Sequence, residues 1–439
     1  MMQISEPGMK LILNRFFLCF FLLSKFIVHG HAQTSGSRYT EPYPSAASKK
    51  GLQVEIVEDA LTLGVKHAAL NFNLCQLVDP SPRADSASWE TDGERFAFSR
   101  SYVEQMDRQI KALSDRGVLV NLIVLAYQSA DEGVNRRMLH PQYDRKAPNR
   151  LGAFNTVTEE GRRWFTASLE FVAERWSRPD QAHGRMVGYI IGNEVNSHWW
   201  WSNMGRVSLE EFTGDYLSAV RLAHSAVRRQ SSWARVYVSL EHHWNIRYPA
   251  GDAMQAFPGR AFVDLFARSA REGGDFDWHL AFHPYPENLF EPRFWNDKSA
   301  TQSPDTDRIT FKNLEQLVSY MDRPELRFEG RSRRIILSEQ GFHTPNGVDG
   351  EEIQAAAYCY AYKKVERLAV IDAFILHRHV DHPHEGGLLL GLRRYVPSDP
   401  EPRPKKRIYN CFRLADTPDW EAAFRFALPI VGLENWDQP

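Results

Sequence analysis

From residue 54 onward, hydrophobic positions follow two patterns that take turns along the chain. Stretches with apolar residues three and four apart alternate with short, continuous apolar runs of strand length. The runs are 67–73 (HAALNFN), 118–125 (VLVNLIVL), 186–192 (MVGYIIG), 235–240 (RVYVSL), 277–282 (DWHLAF), 334–338 (RIILS) and 371–377 (IDAFILH). Between them the spacing predicts helices over 100–116, 159–177, 208–230, 261–272, 310–322 and 351–368. An amphipathic stretch at 54–64 precedes the first run, and a last helix falls near 406–415. Gly64, Gly117 and Gly273 stand at helix ends, where a C-terminal cap favours glycine.

Continuous apolar runs belong to parallel strands covered on both faces. The expected fold class is therefore α/β, a (β/α)₈ TIM barrel. Seven runs are legible, whereas a closed barrel needs eight strands. The first strand comes either from the arm around residues 38–43 or from 52–56 followed by a very short helix. An open doubly wound sheet shares this rhythm. No glycine-rich phosphate loop follows any run, which weakens a dinucleotide-binding version of that alternative.

The N-terminus changes the picture of where such a barrel works. Lys10 and Arg15 precede the apolar run 16–23, and Gly30-His31-Ala32 has the small-x-small form of a cleavage site. Residues 1–32 are thus expected to be an export signal and the mature protein to be secreted or periplasmic. A membrane anchor is the rival, but Asn14, Arg15 and Lys25 interrupt the apolar stretch short of a span. Residues 33–50 read as a linker or N-terminal arm, and 51–439 as one catalytic domain. The net charge of −2, with acids and bases mixed, argues against a duplex nucleic-acid partner. Cys19 lies in the signal; Cys75, Cys359 and Cys411 are odd in number and widely spaced, implying neither a disulfide framework nor a zinc site.

Barrel active sites form where strands end. Asn193-Glu194 follow the run ending in Gly192, and Glu339 follows Ser338. His283, with Tyr285 two residues on, ends the run 277–282, and Glu241-His242-His243-Trp244 end 235–240. Asn71 lies near the end of 67–73, and His377 closes 371–377. A structural ion pair would account for any single glutamate. Two of them, on the fourth and seventh strands by count, would face each other across a barrel mouth. A retaining glycosidase requires such a pair, about 5–5.5 Å apart, one as nucleophile and one as acid and then base.

Asn193-Glu194 and Glu339 at these strand ends resemble the signature of the clan A glycoside hydrolases. The resemblance implies Glu194 as acid/base, Glu339 as nucleophile and Asn193 as hydrogen-bonding a sugar 2-hydroxyl. The His-x-Tyr pattern of His283 and Tyr285 is also similar to clan members, in which that tyrosine sits against the nucleophile. The likeness covers roughly residues 54–415 in architecture and is specific only at the strand ends. The chain departs from the clan elsewhere: Asn71 and Asn73 occupy the region where many members carry an arginine. Ala126-Tyr127 replace a histidine of some members, and the eighth strand runs into HRHVDHPHEGG rather than a tryptophan.

Aromatic content sharpens the ligand expectation. Of 12 tryptophans, Trp199, Trp200 and Trp201 are consecutive and begin five residues after Glu194. Together with Trp244 they suit sugar-ring stacking, the alternative being a packed lid. The substrate expected is a glycan, handled without cofactor or metal. His377, His379, His382 and His384 with Asp381 and Glu385 keep open a metal-dependent hydrolase as an alternative. A non-catalytic glycan-binding barrel would keep the tryptophans but would not need both glutamates.

Overall fold

The computed structural model describes residues 39–395, 397 and 403–437. The expected export signal lies outside these residues. Eight parallel strands close on themselves: β1 (Lys50–Gln53), β2 (His67–Asn73), β5 (Leu119–Leu125), β6 (Met186–Ile191), β7 (Arg235–Glu241), β8 (Trp278–His283), β9 (Ile335–Leu337) and β10 (Ile371–Leu376). The outlying pair β3 (Ala87–Thr91) and β4 (Glu94–Phe98) forms an antiparallel hairpin. The barrel closes through β1, which pairs Leu52 with Ala68 of β2 and with Leu376 of β10. This settles the fold as a (β/α)₈ barrel rather than an open sheet.

The first strand is four residues long, too short for a periodicity to register. It lies a few residues ahead of the 52–56 candidate and overlaps it. The other candidate is overturned: Tyr39 of the arm makes a lone bridge to Ser231 instead of entering the barrel. The helices fall where spacing put them, at Arg100–Ser114, Glu159–Arg175, Leu209–Gln230, Gly259–Glu272, Leu314–Met321, Gly350–Glu366 and Arg407–Leu414. Ser99, Thr158 and Ser208 cap the first three by accepting a hydrogen bond from a backbone N–H of the first turn. The hairpin went unpredicted although Asp92-Gly93 turns it with φ of 51° and 78°, a pairing suited to tight hairpins. A helix at Glu132–Met138 was also missed.

Each strand divides its side chains between two cores. Ala69, Ile123, Leu125, Ile190, Tyr237, Ala281, Ile336, Ala373 and Ile375 fill the barrel lumen. Their neighbours, such as Leu70, Leu122, Val238 and Leu280, join the larger layer shared with the helices. The period of two along a strand sets this division. It also fixes which residues reach the upper mouth: Gln53, Asn71, Glu241, His283 and His377 continue the inward series. Gly188 leaves room at one level of the lumen, since a Cβ there would lie 2.2 Å from the Asn121 amide oxygen and 2.8 Å from the Tyr237 ring. Among the described residues, no helix is long and apolar enough to cross a membrane.

Candidate active site

The chain leaves β6 through Gly192, whose φ of 79° suits glycine, and Glu194 itself takes φ 41°. Such a conformation in a residue with a Cβ is held by its surroundings. Here the Glu194 N–H donates to Ser239 Oγ at 3.1 Å, and its carbonyl accepts from the Ser197 N–H at 2.8 Å. The next residues are pinned to buried Glu241 of β7, which accepts from Asn196 Nδ2 at 2.7 Å and Ser197 Oγ at 2.8 Å. Glu241 also accepts from the His243 N–H at 2.9 Å and lies 2.6 Å from His243 Nδ1. Burial opposes its charge, but His243, through its charge, ring and backbone N–H, and then His242 outweigh burial and draw its pKa down to about 2. Glu241 therefore positions the loop that carries Glu194.

Glu194 and Glu339 face one another. Oxygens of the two carboxyls and a ring nitrogen of His283 all lie within 4.8 Å of each other. His283 Nδ1 is 2.9 Å from Glu194 Oε1, and its Nε2 is 3.0 Å from Ser338 Oγ. Glu339 accepts from the Gln53 amide at 3.0 Å and from the Tyr285 hydroxyl at 3.3 Å. Gln53 is held in turn by His377 Nδ1 at 2.7 Å, and His377 Nε2 meets Glu385 at 2.8 Å.

These surroundings push the two carboxyls in opposite directions. Burial raises the Glu194 pKa, the hydrogen bond to His283 opposes this, and the negative charge of Glu339 adds to the rise. Burial would raise Glu339 as well, but His377, His283 and the donors Gln53 and Tyr285 bring it below its ordinary value. Separated acidities of this kind assign one group to give a proton and the other to stay an anion.

The two carboxyls open into a cleft of about 810 Å³. Asn71, Asn193, Tyr285, His377 and Trp201 line it with them. The Asn193 amide has no hydrogen-bond partner among the described residues and is free for a ligand. His283, expected to bind substrate, is instead buried behind Glu194 and absent from the cleft lining, because its two ring nitrogens are held by Glu194 and Ser338. Three aromatic expectations are corrected. Trp244 is 2% exposed and packs edge-on against Tyr320 at 4.7 Å, because its side chain turns outward to the helix layer. Trp199 and Trp200 are half-buried and absent from the cleft lining; Trp200 packs on Tyr248 with ring centroids 4.6 Å apart. Of the consecutive tryptophans, Trp201 alone lines the cleft, seated on the lumen core. Sequence reasoning missed Gln53, because β1 was not located, and Tyr248, which no motif marks.

The histidine run does not converge. His379 is fully buried against Asp59 at 2.8 Å and accepts from the Ile56 N–H, whereas His377 serves Gln53 and Glu385. His382 and His384 are exposed on the cleft rim. Among the described residues two triads bring ligand atoms together, Glu194 with His283 and Glu339, and Glu241 with His242 and His243. Both nitrogens of His283 are engaged, as are both oxygens of Glu241. A metal would have to displace those hydrogen bonds, so neither set is arranged as an open ligand site.

A (β/α)₈ barrel with two opposed carboxyls at the ends of its fourth and seventh strands is the class that fold and site define. The chain belongs to the Family of unknown function (DUF5722), whose model matches residues 42–439. No curated protein matches the chain. Its fold is similar to that of a family 39 glycoside hydrolase from the gut symbiont Bacteroides cellulosilyticus, with TM-score 0.53 and 12% identity over 84% of this chain and 63% of that one. It is similar to a hyperthermophilic beta-glucosidase from Pyrococcus furiosus, with TM-score 0.52 and 15% identity over 85% of this chain and 86% of that one. A glucosidase from Croceicoccus marinus has TM-score 0.50 and 10% identity, covering 86% of this chain and 69% of that one. At these identities the likeness is one of fold.

Proposed function

We propose that the chain is a retaining glycoside hydrolase acting on O-glycosidic bonds of a polysaccharide or oligosaccharide. The observation that carries this reading is the close, opposed pair Glu194 and Glu339, within 4.8 Å and shifted apart in acidity. A spacing this short is on the side of retaining enzymes, at about 5–5.5 Å, rather than the about 6.5–9.5 Å of inverting ones. The folds of known glycosidases support the reading without assigning the sugar.

In this mechanism Glu339, an anion steadied by Gln53 and Tyr285, attacks the anomeric carbon while Glu194 protonates the departing oxygen. Glu339 loses its charge in the covalent intermediate. The repulsion that helped raise Glu194 then disappears, its pKa falls, and Glu194 stays ionised after giving up its proton, ready to accept one from the incoming water. In this reading Asn193, which lines the cleft, meets a hydroxyl next to the reacting carbon, and Trp201, which lines it too, stacks a sugar face. An export signal over residues 1–32 would place this activity in a secreted or periplasmic setting, with extracellular glycan as substrate.

Proton NMR of the first-formed product tests the assignment. The retained anomer is expected; early appearance of the inverted one would remove Glu339 as nucleophile. With an activated aryl glycoside, Glu194→Ala should form the glycosyl-enzyme and release it slowly, and azide should restore turnover with retention. Unimpaired Glu194→Ala would sink the acid/base assignment.

A further inference from the structure

Beside the cleft lies a second hollow of about 550 Å³, over the ends of β2 and β5 and against the helix Arg100–Ser114. Asn71, Leu125 and Tyr127 line both, so the hollow continues the cleft. Tyr127 is 37% exposed at the shared rim. Burial and then the charge of Glu339 raise its phenol pKa, which places the rim within electrostatic reach of that carboxylate.

Among the described residues the lining has no charged side chain, in a chain whose residues are 25% charged. Its polarity comes from amides instead. Asn73 and Gln128 are engaged within the protein: Asn73 Oδ1 accepts from the Tyr127 N–H at 3.2 Å, and Gln128 Oε1 accepts from the Tyr143 hydroxyl at 3.4 Å. Asn71, Gln76, Gln105 and Gln109 have no side-chain hydrogen bond among the described residues. Gln105 and Gln109 stand one helical turn apart on the face that lines the hollow.

Each amide offers two donors and an acceptor without charge. That inventory matches paired sugar hydroxyls, which donate and accept from adjacent carbons. A phosphate or carboxylate ligand would call for a guanidinium or ammonium group. A lipid or apolar peptide would desolvate the amides without replacing their hydrogen bonds.

We propose that this groove is a subsite for uncharged sugar units of the chain being cleaved, so that the substrate is a neutral glycan bound over several units. The proposal rests on the glycosidase reading above and adds its substrate class. It is tested with the full chain and a Gln105→Glu/Gln109→Glu variant, with Gln105→Ala/Gln109→Ala as a second, milder form, both checked for an unchanged melting temperature. The probes are aryl monoglycosides, neutral cello-, xylo- and manno-oligosaccharides from disaccharide to hexasaccharide, and oligogalacturonides as the charged series. Wild-type kcat/KM should rise with neutral chain length. The glutamate variant should lose about tenfold on the longest neutral substrate and stay within about twofold on the aryl monoglycoside. Equal losses on both substrates, no loss on either, or a preference for oligogalacturonides would overturn the groove assignment. If the wild type cleaves no probe, the glycosidase reading fails. Calorimetric titration of the same oligosaccharides then judges the groove alone, supported by binding that the variant loses and overturned by no binding.

Discussion

The lower end of the barrel and its upper mouth both carry acids and bases, but they handle charge differently. At the lower end, where strands begin, carboxylates meet permanent cations. Asp372 lies between Arg235 at 2.6 Å and Arg334 at 3.1 Å, Asp275 pairs with buried Arg333 at 2.7 Å, and Asp416 pairs with Lys50. The arm adds an aromatic cover, with the Tyr43 ring 3.5 Å from the Arg235 guanidinium. At the mouth, Glu194 and Glu339 have histidine, amide and hydroxyl neighbours and no arginine or lysine in contact among the described residues. Full pairing fixes one protonation state. Partial pairing leaves two acidities that substrate can change, as acid–base chemistry needs.

The largest test of that contrast is Glu339→Gln. It should lower kcat by at least about a thousandfold while the protein still folds with at most a modest drop in melting temperature, since the neighbours that hold the Glu339 pKa down also favour its charge in the folded state. Loss of folding together with activity would place Glu339 among the structural charges instead. Next, the two tryptophan environments should separate cleanly. Trp244→Ala empties part of the packed layer and should cost about 3–5 kcal/mol of stability in a denaturant titration. Trp201→Ala should mainly weaken substrate binding, by about 1 kcal/mol in kcat/KM.

At the lower end, Asp372→Asn should cost about 1–2 kcal/mol of stability with kcat of the folded protein intact, as its pairs are partly exposed. Burial opposes the charge of Asp372, yet Arg334 and Arg235 hold its pKa below the ordinary value. A depressed folded-state pKa contributes stability above the unfolded value of about 3.9, lost as pH falls. The gap between wild type and variant should therefore be full at neutral pH and close in acid. The smallest effect is expected from Tyr285→Phe. Activity requires Glu339 ionised and Glu194 protonated, so kcat/KM should follow a bell between the two pKa values. Removing a donor from Glu339 raises its pKa and should move the acid limb to higher pH, by up to about one unit. An unmoved limb would mean that the Tyr285 contact does not tune the nucleophile.

The sequence by itself determined the repeating strand and helix, and with it the positions where strands end. Periodicity survives translation into structure because it records burial, and burial of parallel strands leaves long apolar runs such as 119–125. The carboxyls Glu194 and Glu339 were legible for the same reason: a charged residue that ends such a run needs an explanation. Tertiary structure alone decided what surrounds them. Strand β1 is too short to show a pattern, so Gln53 and its link to His377 could not be read. Trp244 and Trp201 look alike in sequence, but one turns outward among the helices while the other sits over the lumen, a choice made by local chain direction. His377 and His379 at the end of the eighth strand lie close in sequence yet take separate partners, because chain proximity does not fix where side chains point. Acidity was hidden as well, since it comes from burial and from charges brought together across the barrel by residues far apart in the chain.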